Sequence, residues 1–478
     1  MRLIVVALVT ALTASNAVAA EKPTTVSAEA LKTATQLREQ ALKDDVAYDV
    51  VKGLSIEVGQ RLAGSEADQR GRDWMVAKFK ALGFDKVWTE PVTFPKWVRR
   101  SESASLIAPY PHDLAVTALG NSAATPAGGL RGELVAFDSL DALKNADAAS
   151  VRDKIVYIGA EHMHATSEGS GYGKGSAIRV GGPSIAAQKG AAAFLLRSVG
   201  SDNNRLAHTG MTRFADGVKA IPAAAVSNPD ADLIDAVLKT GKPVTMQLIL
   251  GVGMQGTYTG ANVIAEISGR DKASKQYFLT GGHLDSWDLG QGALDDGAGV
   301  AIATAAAHLI GHLEQRPRRS IRVVAFANEE SGLYGGKAYA ERHREEIGNA
   351  VLGSESDAGA DRIRKISASV KPSARATVDS IAEILKPLGI EYDATAPGVG
   401  GSDLSAVYAV GMAGLSLHQD TTRYFEWHHT ANDTLDKIDP EQLRQNVAAY
   451  VVVAYLAAEA DGDFGSAPGA FANDGDEH

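Results

Sequence analysis

The chain has 478 residues, of which 45% are hydrophobic and 22% charged, and its formal net charge is -11. This composition is that of a globular protein and excludes a fibrous or disordered chain. The acidic balance, without any run rich in Lys and Arg, also argues against a nucleic-acid partner.

The first twenty residues have the features of a secretory signal peptide. Arg2 precedes an apolar run from Leu3 to Leu12, and small residues lead up to Ala20. We therefore predict cleavage near Ala20 and export to the periplasm or the cell exterior; an uncleaved anchor is the alternative. No later segment has about 18 uninterrupted apolar residues, so we expect no membrane attachment after cleavage.

Two amphipathic helices are predicted next, from Ala28 to Lys43 and from Asp68 to Leu82. Between about Ala118 and Gly251, short apolar runs separated by turns rich in Gly and Ser predict a strand-rich α/β module. Its segment EGSGYGKGSAIRVGG, residues 168–182, lacks the terminal Gly-Lys-Ser/Thr of a phosphate-binding loop, and we interpret it as a surface loop.

After Ala261, strands, loops and helices alternate. The Ala-rich run from Gly297 to His312 predicts a helix, and five apolar runs predict buried strands: NVIAEI, QYFLTGG, SIRVVAFA, NAVLGSE and GMAGLSL. Alternation of this kind predicts an α/β fold with a mixed, mostly parallel central sheet and helices on both faces. The acidic, Gly-rich residues 463–478 are predicted to be disordered.

Metal-binding side chains follow three of these strand candidates. His283 and Asp285 follow the first, Glu329 and Glu330 the second, and Asp357 the third. Because ligands collect at the carboxyl ends of parallel strands, we expect these side chains to meet. The chain has no cysteine, so the ligands are N and O atoms, which favours zinc, with manganese or cobalt as alternatives. The surplus of carboxylates favours two metals that share a bridging carboxylate.

Four ordered segments resemble the co-catalytic zinc exopeptidases of family M28. They are HLDSWDLGQGALDD from His283, NEESGLYGG from Asn328, ESDAG from Glu355 and HHTANDT from His428. The resemblance covers nearly all of the sequence after the signal peptide and implies a protease-associated-like insert. The implied organisation is a signal peptide (1–20), the N-terminal part of the peptidase domain (21–117), the insert (118–252), the catalytic peptidase domain (253–462) and the tail (463–478).

The resemblance also implies two zinc ions per chain and assigns their ligands. His283 and Glu330 bind one zinc, Asp357 and His429 bind the other, and Asp295 bridges them.

The neighbours of these ligands have predicted roles as well. The resemblance makes Glu329 the general base that takes the proton of the attacking water, and it implies a cis peptide bond between Asp295 and Asp296. Asp285 is predicted to accept the second ring N–H of His283 and so to fix the imidazole.

The substrate contacts are less closely defined. The loop GVGGSDLSAV resembles a substrate loop of the family, but Leu404 replaces a histidine there, so only Ser402 and Asp403 are carried over. Tyr424 is predicted to donate a hydrogen bond to the oxyanion, with core packing as the alternative. Arg423 is a candidate partner for a terminal carboxylate and Asp403 for a free amine, so the end of the peptide that is recognised stays open.

Other histidines compete with these ligands. His418 ends a predicted strand and its role stays open. His308 and His312 have helical spacing but lack the glutamate of a zinc-binding HExxH motif, and His162 and His164 are interpreted as loop residues.

The leading hypothesis is an exported dizinc exopeptidase that hydrolyses dipeptides or short peptides, as a carboxypeptidase or dipeptidase rather than an aminopeptidase. The aminopeptidase of the same family, a non-catalytic binding protein on the same fold and a hydrolase of non-peptide amides are the alternatives. The resemblance also implies a homodimer.

Overall fold

The computed structural model describes residues 22–159, 162–166 and 169–471, and the predicted signal peptide lies outside these ranges. The α-helices are α1 Ala28–Ala41, α2 Val46–Gly53, α3 Glu66–Ala81, α4 Leu140–Asn145, α5 Ala148–Val151, α6 Tyr172–Gln188, α7 Asn228–Leu238, α8 Ala298–Gly311, α9 Tyr334–His343, α10 Arg375–Leu385, α11 Ser402–Ala409, α12 Tyr424–Trp427 and α13 Pro440–Glu459. Shorter π and 3₁₀ turns cover Leu54–Val58, Ala293–Gly297, Arg344–Asn349, Pro372–Ala374, Lys386–Leu388 and Leu435–Lys437. The strands are β1 Lys86–Ala108, β2 His112–Leu114, β3 Val116–Ala118, β4 Leu130–Phe137, β5 Ile155–Ile158, β6 Ala193–Arg197, β7 Ala223–Val226, β8 Thr245–Ile267, β9 Tyr277–His283, β10 Ser320–Phe326, β11 Ala350–Glu355, β12 Ile363–Ser369, β13 Glu391–Tyr392 and β14 Gly414–Gln419.

The first helices begin and end where their capping residues predict. The Ser27 hydroxyl accepts a hydrogen bond from the Ala30 amide at the start of α1, and Ser65 does the same for Asp68 at the start of α3. The chain leaves α3 through Gly83, whose φ of +80° is readily adopted by glycine. Both predicted helices are confirmed to within two residues at each end.

The strands form one hydrogen-bonded sheet, which runs β13-β12-β14-β11-β9-β10-β8-β4-β5-β6-β7-β3, with β1 and β2 attached beside β8. Strands β9, β10, β11 and β14 pair in parallel, and so do β4, β5, β6 and β7. Antiparallel pairs join the two parallel groups through β8. The prediction of a mixed, mostly parallel sheet is therefore confirmed.

The two longest strands connect the predicted insert to the rest of the molecule. β1 and β8 pair antiparallel from Lys86↔Glu266 to Ala108↔Thr245. The early part of β8 bonds to β4, and its later part bonds to β10. The division of the chain at residues 118 and 252 stays a prediction, since the hydrogen bonding of the sheet is continuous across both positions.

Both faces of the sheet are buried around β9. Phe278 packs into the core formed with α8 and α13, whereas its neighbours Tyr277 and Leu279 pack into the core formed with α9 and α11. The stretch Ala293–Gly311, which includes α8, is long and apolar enough to cross a membrane by composition alone. It is almost wholly buried within the protein, so the core accounts for its apolar composition.

Two predictions about irregular segments are corrected. The segment 168–182, interpreted as a surface loop, belongs to α6 from Tyr172 onward. Its small residues allow close packing: a Cβ at Gly175 would lie 2.6 Å from Val199, and one at Gly182 would lie 2.5 Å from Phe194. The tail is not disordered over residues 463–471, because Phe464 is fully buried in the main core. The remainder of the tail, residues 472–478, lies outside the described residues.

Candidate metal centre and active-site cleft

The central strand β9 lies between β10 and β11, and the three strands end side by side. His283 is the last residue of β9 and pairs with Phe326, the last residue of β10. Glu355 at the end of β11 pairs with Gly281, so Asp357 comes alongside His283 two residues later. The register of the three strands thus brings the metal-binding side chains together at one edge of the sheet, as predicted.

Five predicted ligands converge on this edge, with Asp295 in the middle. Its Oδ1 lies 3.1 Å from His283 Nε2, and its Oδ2 lies 3.2 Å from His429 Nε2. His283 Nε2 is 3.4 Å from Asp357 Oδ1, and His429 Nε2 is 3.0 Å from Glu330 Oε2. Asp295 therefore presents one carboxylate oxygen to each of two His–carboxylate pairs.

These pairs differ from the predicted pairing. The sequence prediction placed Glu330 with His283 and Asp357 with His429, whereas the contacts place Asp357 with His283 and Glu330 with His429. The reason is the strand register, since Asp357 and His283 leave neighbouring parallel strands at the same level. His283 and Glu330 still lie close enough, with Asp295, to belong to one group of donor atoms.

The donor atoms fit divalent metal ions. His283 Nδ1–H donates to the Asp285 backbone carbonyl at 3.0 Å, and His429 Nδ1–H donates to the Thr209 carbonyl at 3.2 Å. In both rings this leaves the Nε2 lone pair free to bind a metal. Asp295 Oδ2 and Glu330 Oε1 are buried without an aligned hydrogen-bond donor, and a divalent cation would satisfy both oxygens.

The raised pKa values of carboxyl groups in the cluster also favour a site for divalent cations. Burial raises the pKa of Glu329 well above its usual range, against the opposing effect of His283 and with reinforcement from Asp357. Burial likewise raises the pKa of Glu330. Neighbouring buried carboxylates repel one another when ionised, and a bound divalent cation supplies the positive charge that stabilises their ionised forms.

Asp285 has a different contact from the predicted one. Its carboxylate lies 3.7 Å from His283 Nδ1, too far for a hydrogen bond, and its backbone carbonyl accepts that N–H instead. The carboxylate accepts the backbone amides of Glu329 at 3.0 Å and of Glu330 at 3.4 Å. Asp285 therefore holds the backbone of the predicted base and of one predicted ligand.

Two further aspartates hold the backbone of two predicted ligands, His283 and Asp295. The predicted cis peptide bond between Asp295 and Asp296 is present. Asp296 accepts the backbone amide of His283 at 3.0 Å, and Asp433 accepts the Asp295 amide at 3.2 Å. Asp433 belongs to the HHTANDT segment, so the sequence motif contained the signal for this contact. Asp288 instead forms an ion pair with Arg99, away from the cluster.

His428 also belongs to the cluster, although the sequence prediction left it without a role. Its ring stacks on His429 with 3.5 Å between ring centroids, and its Nε2 lies 3.4 Å from Asp295 Oδ2. The His208 Nδ1–H donates to the backbone carbonyl of His428 at 2.7 Å. His208, like Thr209, comes from the predicted insert, and no motif in that part of the sequence pointed to the site.

A cleft of about 390 Å³ opens onto these ligands. Of the predicted substrate contacts, Ser402 and Tyr424 line it. The Ser402 hydroxyl donates to the Asp357 carboxylate, so Ser402 also orients a predicted ligand. The predicted insert supplies the opposite wall, with the following residues: Tyr172, Ser176, Arg179, Val180, Met211 and Arg213.

The other two predicted substrate contacts do not line this cleft. Arg423 forms an ion pair with Asp361 at 2.5 Å, and its side chain is 46% exposed. Asp403 is fully buried beneath the cleft, where it accepts the Gly336 amide at 2.7 Å. The prediction for Arg423 was based on closeness in sequence to site residues, and that for Asp403 on the resemblance of its loop to a substrate loop of the family. In the structure the Arg423 side chain contacts Asp361 and the Asp403 side chain contacts Gly336.

The competing histidines lie elsewhere. His418 is exposed on β14, and its Nε2 contacts Ser367 at 2.8 Å. His308 on α8 contacts His312, the residue that follows this helix, and His162 bonds to the Asp202 carbonyl in the predicted insert. None of these four residues is in contact with the described metal-binding cluster.

Comparison with known proteins agrees with this geometry. A family model described as Peptidase family M28 matches residues 262–454, which contain all five converging ligands. Carboxypeptidase Q of Homo sapiens is 35% identical over 412 residues, which cover 86% of this chain and 85% of that protein. The solved structure of a peptidase M28 precursor from Shewanella amazonensis SB2B is 48% identical, with a TM-score of 0.88 over 92% of this chain and 99% of that one. A zinc aminopeptidase from Bacillus subtilis, 19% identical with a TM-score of 0.60 over 88% of this chain and 98% of that one, shares the fold. Because the similarity in sequence extends over most of the chain and not only over the fold, the protein is a member of peptidase family M28.

Proposed function

We propose that the protein is an exported dizinc exopeptidase that hydrolyses dipeptides or short peptides. The observation that supports this proposal most directly is the position of Asp295. One of its carboxylate oxygens faces His283 and the other faces His429. A carboxylate shared between two sets of N and O donors is the arrangement that a pair of co-catalytic metals requires. The names of two similar proteins, a carboxypeptidase and a zinc aminopeptidase, support the same reaction class.

The residues assigned to each metal follow from the contacts. His283 and Asp357 would hold one zinc, Glu330 and His429 would hold the other, and Asp295 would serve both. Imidazole nitrogens and carboxylate oxygens suit zinc, and manganese or cobalt are alternatives. When bound, the metal pair polarises the scissile carbonyl and lowers the pKa of the attacking water.

Glu329 moves the proton in this proposal. It lines the cleft beside the ligands, and its backbone amide is held by the Asp285 carboxylate at 3.0 Å. Its carboxylate oxygen takes the proton of the attacking water and returns it to the nitrogen of the leaving amine.

Tyr424 stabilises the charge that develops on the substrate. It lines the cleft, and burial, with the nearby Asp295 and Asp357, raises the pKa of its hydroxyl well above the ordinary value. The phenol therefore stays protonated and donates a hydrogen bond to the carbonyl oxygen as that oxygen becomes negative.

Export and self-association rest on sequence alone. The signal-like residues 1–20 support a periplasmic or extracellular location, and the family resemblance supports a homodimer. An aminopeptidase of the same family is the second candidate, favoured by the fold shared with the Bacillus subtilis enzyme.

Zinc analysis of paired ligand variants tests both the function and the ligand assignment. The wild type should bind about two zinc per chain and hydrolyse a dipeptide until a chelator is added. The double variants His283→Ala/Asp357→Ala and Glu330→Ala/His429→Ala should each retain about one zinc, because each removes a single site. His283→Ala/Glu330→Ala damages both sites and should retain less, as measured by inductively coupled plasma mass spectrometry.

The contrary results are equally specific. Retention of one zinc by the His283→Ala/Glu330→Ala variant alone would restore the pairing predicted from sequence. A wild type that neither binds zinc nor cleaves peptides would favour a non-catalytic binding protein.

A further inference from the structure

Arg179, on α6, is a buried cation in the wall of the cleft. Its side chain is only 5% exposed, yet no carboxylate among the described residues forms an ion pair with it. The guanidinium donates to the Tyr172 hydroxyl at 2.8 Å and to the Thr209 carbonyl at a long 3.4 Å, and its Nε–H has no partner within the described part of the chain. A guanidinium has five N–H donors and is rarely buried unpaired, and this one lacks an anionic partner among the residues that the structure describes.

Other buried arginines have the carboxylate or carbonyl partners that a guanidinium requires. Arg99 and Arg197 each form ion pairs with two carboxylates. Arg61 and Arg319 each donate to at least three backbone carbonyls. Among the described residues, Arg179 has neither two carboxylate partners nor three carbonyl partners. It nevertheless lines a cleft that a ligand can enter.

The position of Arg179 relates it directly to the metal centre. One oxygen, the Thr209 carbonyl, accepts from both Arg179 Nη1 at 3.4 Å and His429 Nδ1 at 3.2 Å. The Tyr172 ring, over which the guanidinium lies, meets the His428 ring at 5.1 Å. In a peptide, one residue spans roughly 3.5 Å, so a cation this close to a predicted ligand can reach the residue that follows the scissile bond.

The local backbone is shaped to hold this side chain. A Cβ at Gly210 would lie 2.4 Å from Arg179 Cζ, so only glycine leaves room for the guanidinium there. Arg213 is exposed on the same wall and adds a second positive charge to it.

We propose that Arg179 binds a carboxylate of the residue that follows the scissile bond, so that the enzyme selects substrates that carry a free carboxylate on that residue. A guanidinium fork holds a carboxylate through two parallel charge-assisted hydrogen bonds. An acidic side chain on that residue has the same chemistry as the C-terminal carboxylate, and the experiment separates the two. The inference deepens the proposed peptidase function and rests on it, and it assigns to Arg179 the role that the sequence suggested for Arg423.

Three substrates distinguish the sources of the carboxylate: Ala-Ala, Ala-Ala amide and Ala-Glu amide. For the wild type, kcat/KM for Ala-Ala should exceed that for Ala-Ala amide on the order of 100-fold, because a buried charge-assisted pair is lost with the amide. Arg179→Gln should remove this preference by lowering kcat/KM for Ala-Ala on the order of 100-fold, with Ala-Ala amide and zinc content unchanged. Arg423→Gln, outside the cleft, is the matched control and should retain the preference.

Each outcome of this experiment identifies the source of the carboxylate, contradicts the role of Arg179 or rejects the peptidase function. A preference for Ala-Glu amide over Ala-Ala amide that Arg179→Gln abolishes assigns the contact to a side-chain carboxylate. A wild type that prefers neither Ala-Ala nor Ala-Glu amide over Ala-Ala amide, or an Arg179→Gln variant that keeps the wild-type preference, overturns the proposal. If Arg179→Gln does not fold, Arg179→Lys, which keeps the charge but loses the fork, should lose most of the preference. Failure of the wild type to hydrolyse any of the three peptides rejects the proposed function instead.

Discussion

Replacing Glu329 by glutamine should lower kcat by about 10³-fold or more while leaving the zinc content unchanged. Glutamine keeps the size and polarity of the side chain but cannot take a proton from the attacking water. The backbone contact to the Asp285 carboxylate, which places residue 329, uses only the main-chain amide and survives the substitution. Steady-state kinetics on a dipeptide, together with zinc analysis of the same preparation, measure both quantities.

Two comparisons make this result informative. Glu345→Gln is the matched control, because Glu345 is exposed beyond α9, and it should have wild-type activity. Glu330→Gln should lose zinc as well as activity, since Glu330 Oε2 lies 3.0 Å from His429 Nε2 within the cluster. Substantial turnover by Glu329→Gln would remove Glu329 from the role of general base.

Replacing Arg61 by methionine should destabilise the fold by roughly 2–6 kcal/mol, since two of its hydrogen bonds to carbonyls are fully buried and each such carbonyl left without a donor costs about 1–3 kcal/mol. Arg61 is fully buried and donates to four backbone carbonyls, those of Gly59, Leu284, Gln291 and Gly292. Three of these carbonyls lie in the loop between β9 and the bridging aspartate. Zinc content should therefore fall together with the melting temperature.

Arg100→Met is the control for this variant. Arg100 is exposed on β1, and its replacement should change stability by no more than about 0.5 kcal/mol. A melting temperature for Arg61→Met equal to that of the control would mean that water replaces the guanidinium in this loop.

Much of the candidate site was predictable from local sequence. Apolar runs followed by His283, Glu329 and Asp357 predicted strand ends carrying metal-binding groups, and in the structure all three strands end at one edge. The prediction succeeds because the carboxyl ends of neighbouring parallel strands lie at the same edge of a sheet, whatever the order of the strands. The family segments added Asp295 and His429, which no periodicity identifies.

The pairing of ligands needed the tertiary structure. Side-chain alternation along a strand tells which face a residue takes, but it carries no information about the neighbouring strand or the register. β9 has β10 on one side and β11 on the other, and the register to β11 sets Asp357 beside His283. Likewise, only the tertiary structure shows that Asp285 holds His283 through its backbone carbonyl rather than through its carboxylate.

The wall of the cleft opposite the metal ligands is the clearest case of this kind. The segment around Arg179, predicted to be a surface loop, forms the helix α6, although each glycine inside a helix costs about 1 kcal/mol. Close packing of Gly175 against Val199 and of Gly182 against Phe194 stabilises α6 despite that penalty. The sequence by itself thus determined the family, the strand ends and the metal-binding residue types, because these depend on local pattern. The tertiary structure alone decided which predicted ligands lie together and which buried cation lines the cleft, because both depend on contacts between segments far apart in the chain.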